Sequence, residues 1–117
     1  MSQITGRTRK WLREQGYRVD TVERWIAQLR QRSDLFGIID LIAIKPGEIV
    51  GVQSCGTAYA DHLKTLTKIR RQESIDWLRS GARLLLIGWR KVKQKRGGKQ
   101  KVYKPRIKWF TMEDFYD

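Results

Sequence analysis

Residues 38–44 (Ile-Ile-Asp-Leu-Ile-Ala-Ile) form an almost unbroken apolar run with one carboxylate, Asp40, set inside it. Pro46-Gly47 then gives a strong turn signal, and residues 49–54 resume the apolar, β-branched pattern. The pattern predicts a β-hairpin in the middle of a sheet, buried on both faces. An acid at such a place is costly to bury unless it is paired or holds a metal. The two-residue period puts Gly51, Gln53 and Cys55 on one face of the second strand, with Val52 and Ser54 on the other. Gln53 is therefore a second polar side chain in the strand paired with that of Asp40. Two oxygen donors on adjacent strands suit Mg²⁺ or Mn²⁺, hard cations that take oxygen ligands and keep several waters. The competing readings are an Asp40 that caps a backbone or pairs with an arginine, and a Gln53 that is a hydrogen-bonded core amide.

The rest of the chain supplies what such a hairpin packs against. Residues 3–15 read as a helix with Ile4, Trp11 and Leu12 on one face, Ser2 as its N-cap and Gly16 as its terminator. Residues 17–25 alternate as a strand, and the polar, basic stretch 26–33 reads as a loop. Residues 58–70 predict a helix with the stripe Tyr59, Leu63, Leu66 and Ile69. A shorter helix spans about 73–80 and carries Ile75, Trp77 and Leu78, with Gly81 past its end. Residues 83–92 and 102–110 read as paired strands around a Gly-Gly-centred basic hairpin tip at about 93–101. The order α-β-β-β-α-β-β implies an α/β (α+β) fold with a central mixed sheet flanked by helices. With no repeat or linker visible, residues 1–117 read as one domain.

Charge narrows the partner. Lys and Arg number 25 against 12 Asp and Glu, a formal charge of +13. A small basic chain is drawn to polyanions, and nucleic acid is the expected one, DNA ahead of RNA. Arg32, Arg90, Lys91, Lys93, Lys95, Arg96, Lys99 and Lys101 are the candidate phosphate contacts, most of them at the 93–101 tip; a merely solvated basic loop is the alternative. No segment approaches the roughly 20 apolar residues of a membrane span. The single cysteine, Cys55, and the lack of a signal-like start point to the cytoplasm. Trp109, Phe110, Phe115 and Tyr116 read as packing residues more readily than as base-stacking ones.

The segment from Ile39 to Gln53, with Asp40 opening one strand and Gln53 near the end of the next, resembles the metal-binding hairpin of the PD-(D/E)XK nuclease superfamily, in its Holliday-junction-resolvase-like and VRR-NUC-like branch. The resemblance implies a restriction-endonuclease-like core and a metal-dependent endonuclease acting on branched DNA, with Mg²⁺ or Mn²⁺ as cofactor. It also implies a homodimer, and a small stand-alone enzyme of this kind suits a virus or mobile element. On that pattern Asp40, Gln53, Asp34 and the backbone carbonyl of Ser54 would hold the metal, and Glu23 would be a further acid facing the cleft. The sequence departs from the pattern in two places. Gln53 stands where the family usually has Glu, and Cys55 where it usually has Lys. Lys64 or Lys68, on the following helix, would then supply the missing cation. The alternative is a nuclease fold that binds DNA or RNA without cutting it. Asp34 also reads as a turn residue beside Gly37 and Glu23 as a surface ion-pair partner, and the lone His62 reads as a partly exposed helix residue ahead of a general base or phosphate contact.

Overall fold

The computed structural model describes residues 3–93 and 96–116. The chain opens with α1 (Gln3–Glu14), which buries Leu12 and Thr8 and packs Ile4 and Trp11 against the same core. Gly16 ends it at φ +93°, a left-handed conformation that costs glycine little. The Gly16 N–H bonds to the Arg13 carbonyl and the Tyr17 N–H to the Leu12 carbonyl, the paired bonds of a Schellman stop. The expected N-cap, Ser2, lies outside the described residues.

Strands β1 (Arg18–Thr21), β4 (Leu41–Lys45), β5 (Glu48–Cys55), β6 (Arg83–Lys93) and β7 (Lys101–Trp109) form a sheet in the order β1-β4-β5-β6-β7. All neighbours are antiparallel except β5 and β6, which are parallel and joined by the helical segment 59–79. Strands β2 (Arg24–Ile26) and β3 (Gln31–Ser33) make a separate two-stranded ribbon. Helix α1 covers one face of the main sheet over Val19, Leu41, Val50, Val52, Leu85 and Ile87. Helices α2 (Tyr59–Lys64) and α3 (Arg71–Arg79) cover the other, over Ile38, Ile39, Leu84, Leu86 and Phe110. The result is the expected mixed sheet between helical layers. Each fully buried Leu, Ile or Val contributes about 1.5–3 kcal/mol, and both faces of the sheet carry such residues. Among the described residues no helix is long and apolar enough to cross a membrane.

Four expectations need correction. Residues 17–25 are not one strand, because β1 stops at Thr21 and β2 starts at Arg24. Residues 26–33 are not a loop, since they complete β2 and form β3 around a turn at 27–30. The ribbon is exposed on most positions, so it lacks the apolar alternation by which a strand is read. Ile38 and Ile39 lie in a tight turn before β4 and are buried without being in the strand. The helix expected over 58–70 passes at Thr65 into a π-helical turn closed by the Arg70 N–H on the Thr65 carbonyl, 2.7 Å. That wider turn rotates the stripe out of phase, so Leu66 is buried while Ile69 is 66% exposed.

Candidate functional site: an unpaired carboxylate pair

Two structural devices bring Asp34 and Asp40 together. The first is the turn Leu35-Phe36-Gly37-Ile38, in which Phe36 (φ +55°) and Gly37 (φ +74°) are both left-handed, as a type I′ turn requires. It is closed by the Ile38 N–H on the Leu35 carbonyl and leaves Leu35 and Ile39 as antiparallel bridge partners. Asp34 and Asp40 are the next pair out in that register. The second device is the β4–β5 hairpin, whose Leu41–Val52 pairing puts Asp40 opposite Gln53, with the Asp40 N–H on the Val52 carbonyl at 3.0 Å. On its other side the Val22 N–H bonds to the Asp40 carbonyl, which brings the neighbouring Glu23 close.

The side chains fill that frame unequally. Gln53, 3% exposed, gives its amide hydrogens to the Ile38 carbonyl and to Asp34 Oδ2, both at 3.0 Å. Its Oε1 meets His62 Nδ1 at 3.1 Å. Asp40 Oδ2 accepts the Ser54 N–H at 3.3 Å, whereas Asp40 Oδ1 is buried with no hydrogen-bond partner among the described residues. Burial pushes the Asp40 carboxyl up to about 8, and the adjacent Asp34 charge adds to the rise, against the Ser54 N–H. Asp34 is raised too, by burial first and then by Glu23, with His62 opposing. Among the described residues no Lys or Arg is bonded to either Asp.

The residues fit a hard divalent cation. An orphaned buried carboxylate oxygen with a second carboxylate close by is the arrangement whose cost a bound cation removes. Asp34 and Asp40 are the ligands the geometry offers, with Glu23 behind them. Among the described residues no three His, Cys, Asp or Glu side chains form a metal cage, so water would complete the shell. Gln53 is seated as a clamp on Asp34 and Ile38 here, with its oxygen turned to His62 instead of toward Asp40. The Ser54 hydroxyl points to the opposite sheet face, 2.5 Å from that of Thr8, and only its backbone N–H reaches Asp40. Thr8 also donates to the Ile4 carbonyl and accepts from the Trp89 indole, a buried polar knot that locks α1 to the sheet behind the site.

The expected cations are elsewhere. Lys64 and Lys68 are exposed, and neither bonds to Asp34, Asp40 or Gln53 among the described residues. Cys55 is buried, and burial followed by the Asp40 charge raises its thiol to about 11, so it is inert at neutral pH. No family model matches the chain, no curated protein matches it, and no solved structure matches it. The site therefore stands on its own geometry.

The basic residues divide between the two sheet faces. Residue pairs across β6 and β7 share a face, which puts Arg90, Lys104 and Arg106 on the side of Gln53 and Cys55. Arg106 lies 4.0 Å over the Tyr59 ring, beside Gly88, where any side chain would strike that ring. Lys91, Lys93 and Lys101 project from the α1 side, Lys91 over Tyr103. Arg96 and Lys99 are exposed at the hairpin tip, and Lys95 lies outside the described residues. Arg32 is on β3, ion-paired to Glu23 at 3.6 Å. Phe110 and Phe115 are core residues, Trp109 is half-buried under Arg83, and Tyr116 is exposed. Sequence reading singled out His62 but not its bond to Gln53, and it placed Lys104 and Arg106 in the basic stretch 90–108 without assigning them to the site's side. Strand alternation carried counting back from residue 110 would have found the last two.

Proposed function

We propose that the protein is a metal-dependent endonuclease that hydrolyses phosphodiester bonds, with branched DNA as its substrate. The observation that carries this reading is the buried Asp40 oxygen without a hydrogen-bond partner among the described residues, with the Asp34 charge close enough to raise its carboxyl, on a sheet face that continues into Arg90, Lys104 and Arg106. Acids that repel one another inside a strongly basic protein are expensive, and a structural role would have paired them. When bound, a divalent ion supplies positive charge opposite the phosphate and acidifies water.

The chain's own groups do the rest. Asp34 and Asp40 would hold the ion, while Gln53 bonds to Asp34 and the Ser54 N–H bonds to Asp40 Oδ2, leaving Oδ1 without a hydrogen bond among the described residues. Arg90, Lys104 and Arg106 take flanking phosphates, and the exposed cations of the β6–β7 tip extend that track. His62, anchored through Nδ1 by Gln53, is the imidazole on the site's side and would carry a proton there. If the substrate is a four-way junction, a symmetric dimer would place one such site on each strand to be cut.

A second reading, binding without cutting, rests on Cys55, a buried neutral thiol where the resembled motif has a lysine. Cleavage of a labelled four-way DNA junction, duplex and single strand in Mg²⁺, Mn²⁺ or EDTA separates the two. The expected result is metal-dependent cutting that Asp40→Ala lowers at least about a hundredfold. Tight binding with no cutting in either metal would leave the binding reading.

A further inference from the structure

The β2–β3 ribbon leaves the main sheet at the site and returns to it there. Its first leg follows Val22, whose N–H is bonded to Asp40, and its second ends one residue before Asp34. Ile26 is partly buried, but Trp25 is 60% and Leu29 61% exposed. Trp25 is paired with Arg32, so the two side chains project from the same face of the ribbon. Arg24 lies on the other face, and Arg30 (φ +49°) closes the tip. Glu23, the one acid of the segment 21–33, is already paired with Arg32.

A large aromatic surface in water is unfavourable unless something covers it. Here the surroundings choose the cover. Three arginines would repel a basic second copy of this chain, whereas an exposed ring among cations is what an unpaired base and its phosphates recognise. Placement adds to this. Arg32, the partner of Trp25, is two residues from Asp34, about 7 Å along an extended strand, or about two base rises.

We infer that the β2–β3 ribbon is a base-stacking arm: Trp25 takes an unpaired nucleobase, and Arg24, Arg30 and Arg32 hold the phosphates that flank it. This rests on the nuclease reading of the adjacent acids, and it names the substrate feature that reading leaves open. The arm selects nucleic acid with at least one base out of the duplex, within two nucleotides of the bond presented to Asp34 and Asp40.

The test is binding in EDTA, where nothing is cut, to DNA carrying 2-aminopurine at an unpaired or a paired position. The wild-type protein should quench the unpaired probe and prefer that DNA over the paired duplex. Trp25→Ala should lose the quench and lower the preference about tenfold. Trp25→Phe should keep most of it, and Ile69→Ala, an equally exposed residue on the π-helical turn, should leave it intact. Equal quench and preference in Trp25→Ala and wild type would overturn the arm while leaving the nuclease reading in place. A wild-type protein that binds neither DNA would overturn both. If Trp25→Ala converts a dimer to a monomer and weakens both DNAs equally, the ribbon is a self-contact and the inference fails.

Discussion

The two ends of the β4–β5 hairpin treat an acid in opposite ways. At the turn end Glu48 is ringed by Arg83, by Tyr17 at 3.1 Å and by Lys45 at 3.5 Å, and the Arg83 hydrogen bond leads in holding its carboxyl below the usual range. At the other end Asp40 has one backbone N–H, an empty lone pair and a second carboxylate for a neighbour, and it is pushed up to about 8. Both sit in a chain with a twofold excess of cations, so supply does not explain the difference. Glu48 is arranged to be satisfied by the protein. Asp40 is arranged to be satisfied by something else.

Asp40→Asn should break this contrast most visibly. The unfolded carboxyl titrates near 3.8 and the folded one near 8, so between these values the folded state keeps a proton that the unfolded state releases. Metal-free stability therefore falls as pH rises through that window, and is unaffected by this group below it. Asparagine removes the penalty and can donate to Asp34. Urea melts at pH 8 should show Asp40→Asn more stable than wild type by about 2–5 kcal/mol, with a flatter pH profile. Gln53→Leu comes next and acts in the opposite direction. It leaves the Ile38 carbonyl unpaired and frees Asp34, so it should cost about 1–3 kcal/mol by the same melts. Any metal-dependent cutting should also drop at least about tenfold. Glu48→Gln should be the smallest. Its folded carboxyl is lowered, so its contribution is present above the unfolded value of 4.5 and lost as pH falls through the folded one. The cluster is exposed and screened, so its loss should barely move the urea midpoint at pH 7 and vanish in high salt.

How far the sequence reveals this contrast depends on distance along the chain. The hairpin was legible because its apolar run, its Pro46-Gly47 turn and its two polar interruptions are all local. So were the helix stops, since Gly16 and Gly81 both adopt positive φ. The partnership of Asp34 with Asp40 was only half legible. It depends on Phe36 adopting a left-handed conformation that a bulky residue rarely takes, and no residue pattern announces that. His62 reaches Gln53 only because α2 starts on the site's face of the sheet, which is tertiary information. The ribbon escaped because exposed strands hold together by backbone pairing, which leaves no apolar signature. The change of helical phase at Thr65 left Ile69 outside, while Lys64, on α2 before that turn, and Lys68, within it, are both exposed.

Binding of Mn²⁺, followed by electron paramagnetic resonance at pH 8, tests the reading of the Asp34–Asp40 pair most directly, because it needs no substrate. Wild type and Glu48→Gln should each bind one ion with the same affinity and release protons as they do so. Asp40→Asn and Asp34→Asn should each lose it. Ion binding that survives in Asp40→Asn, or is absent from the wild type, would contradict the assignment of these carboxylates as an open cation site.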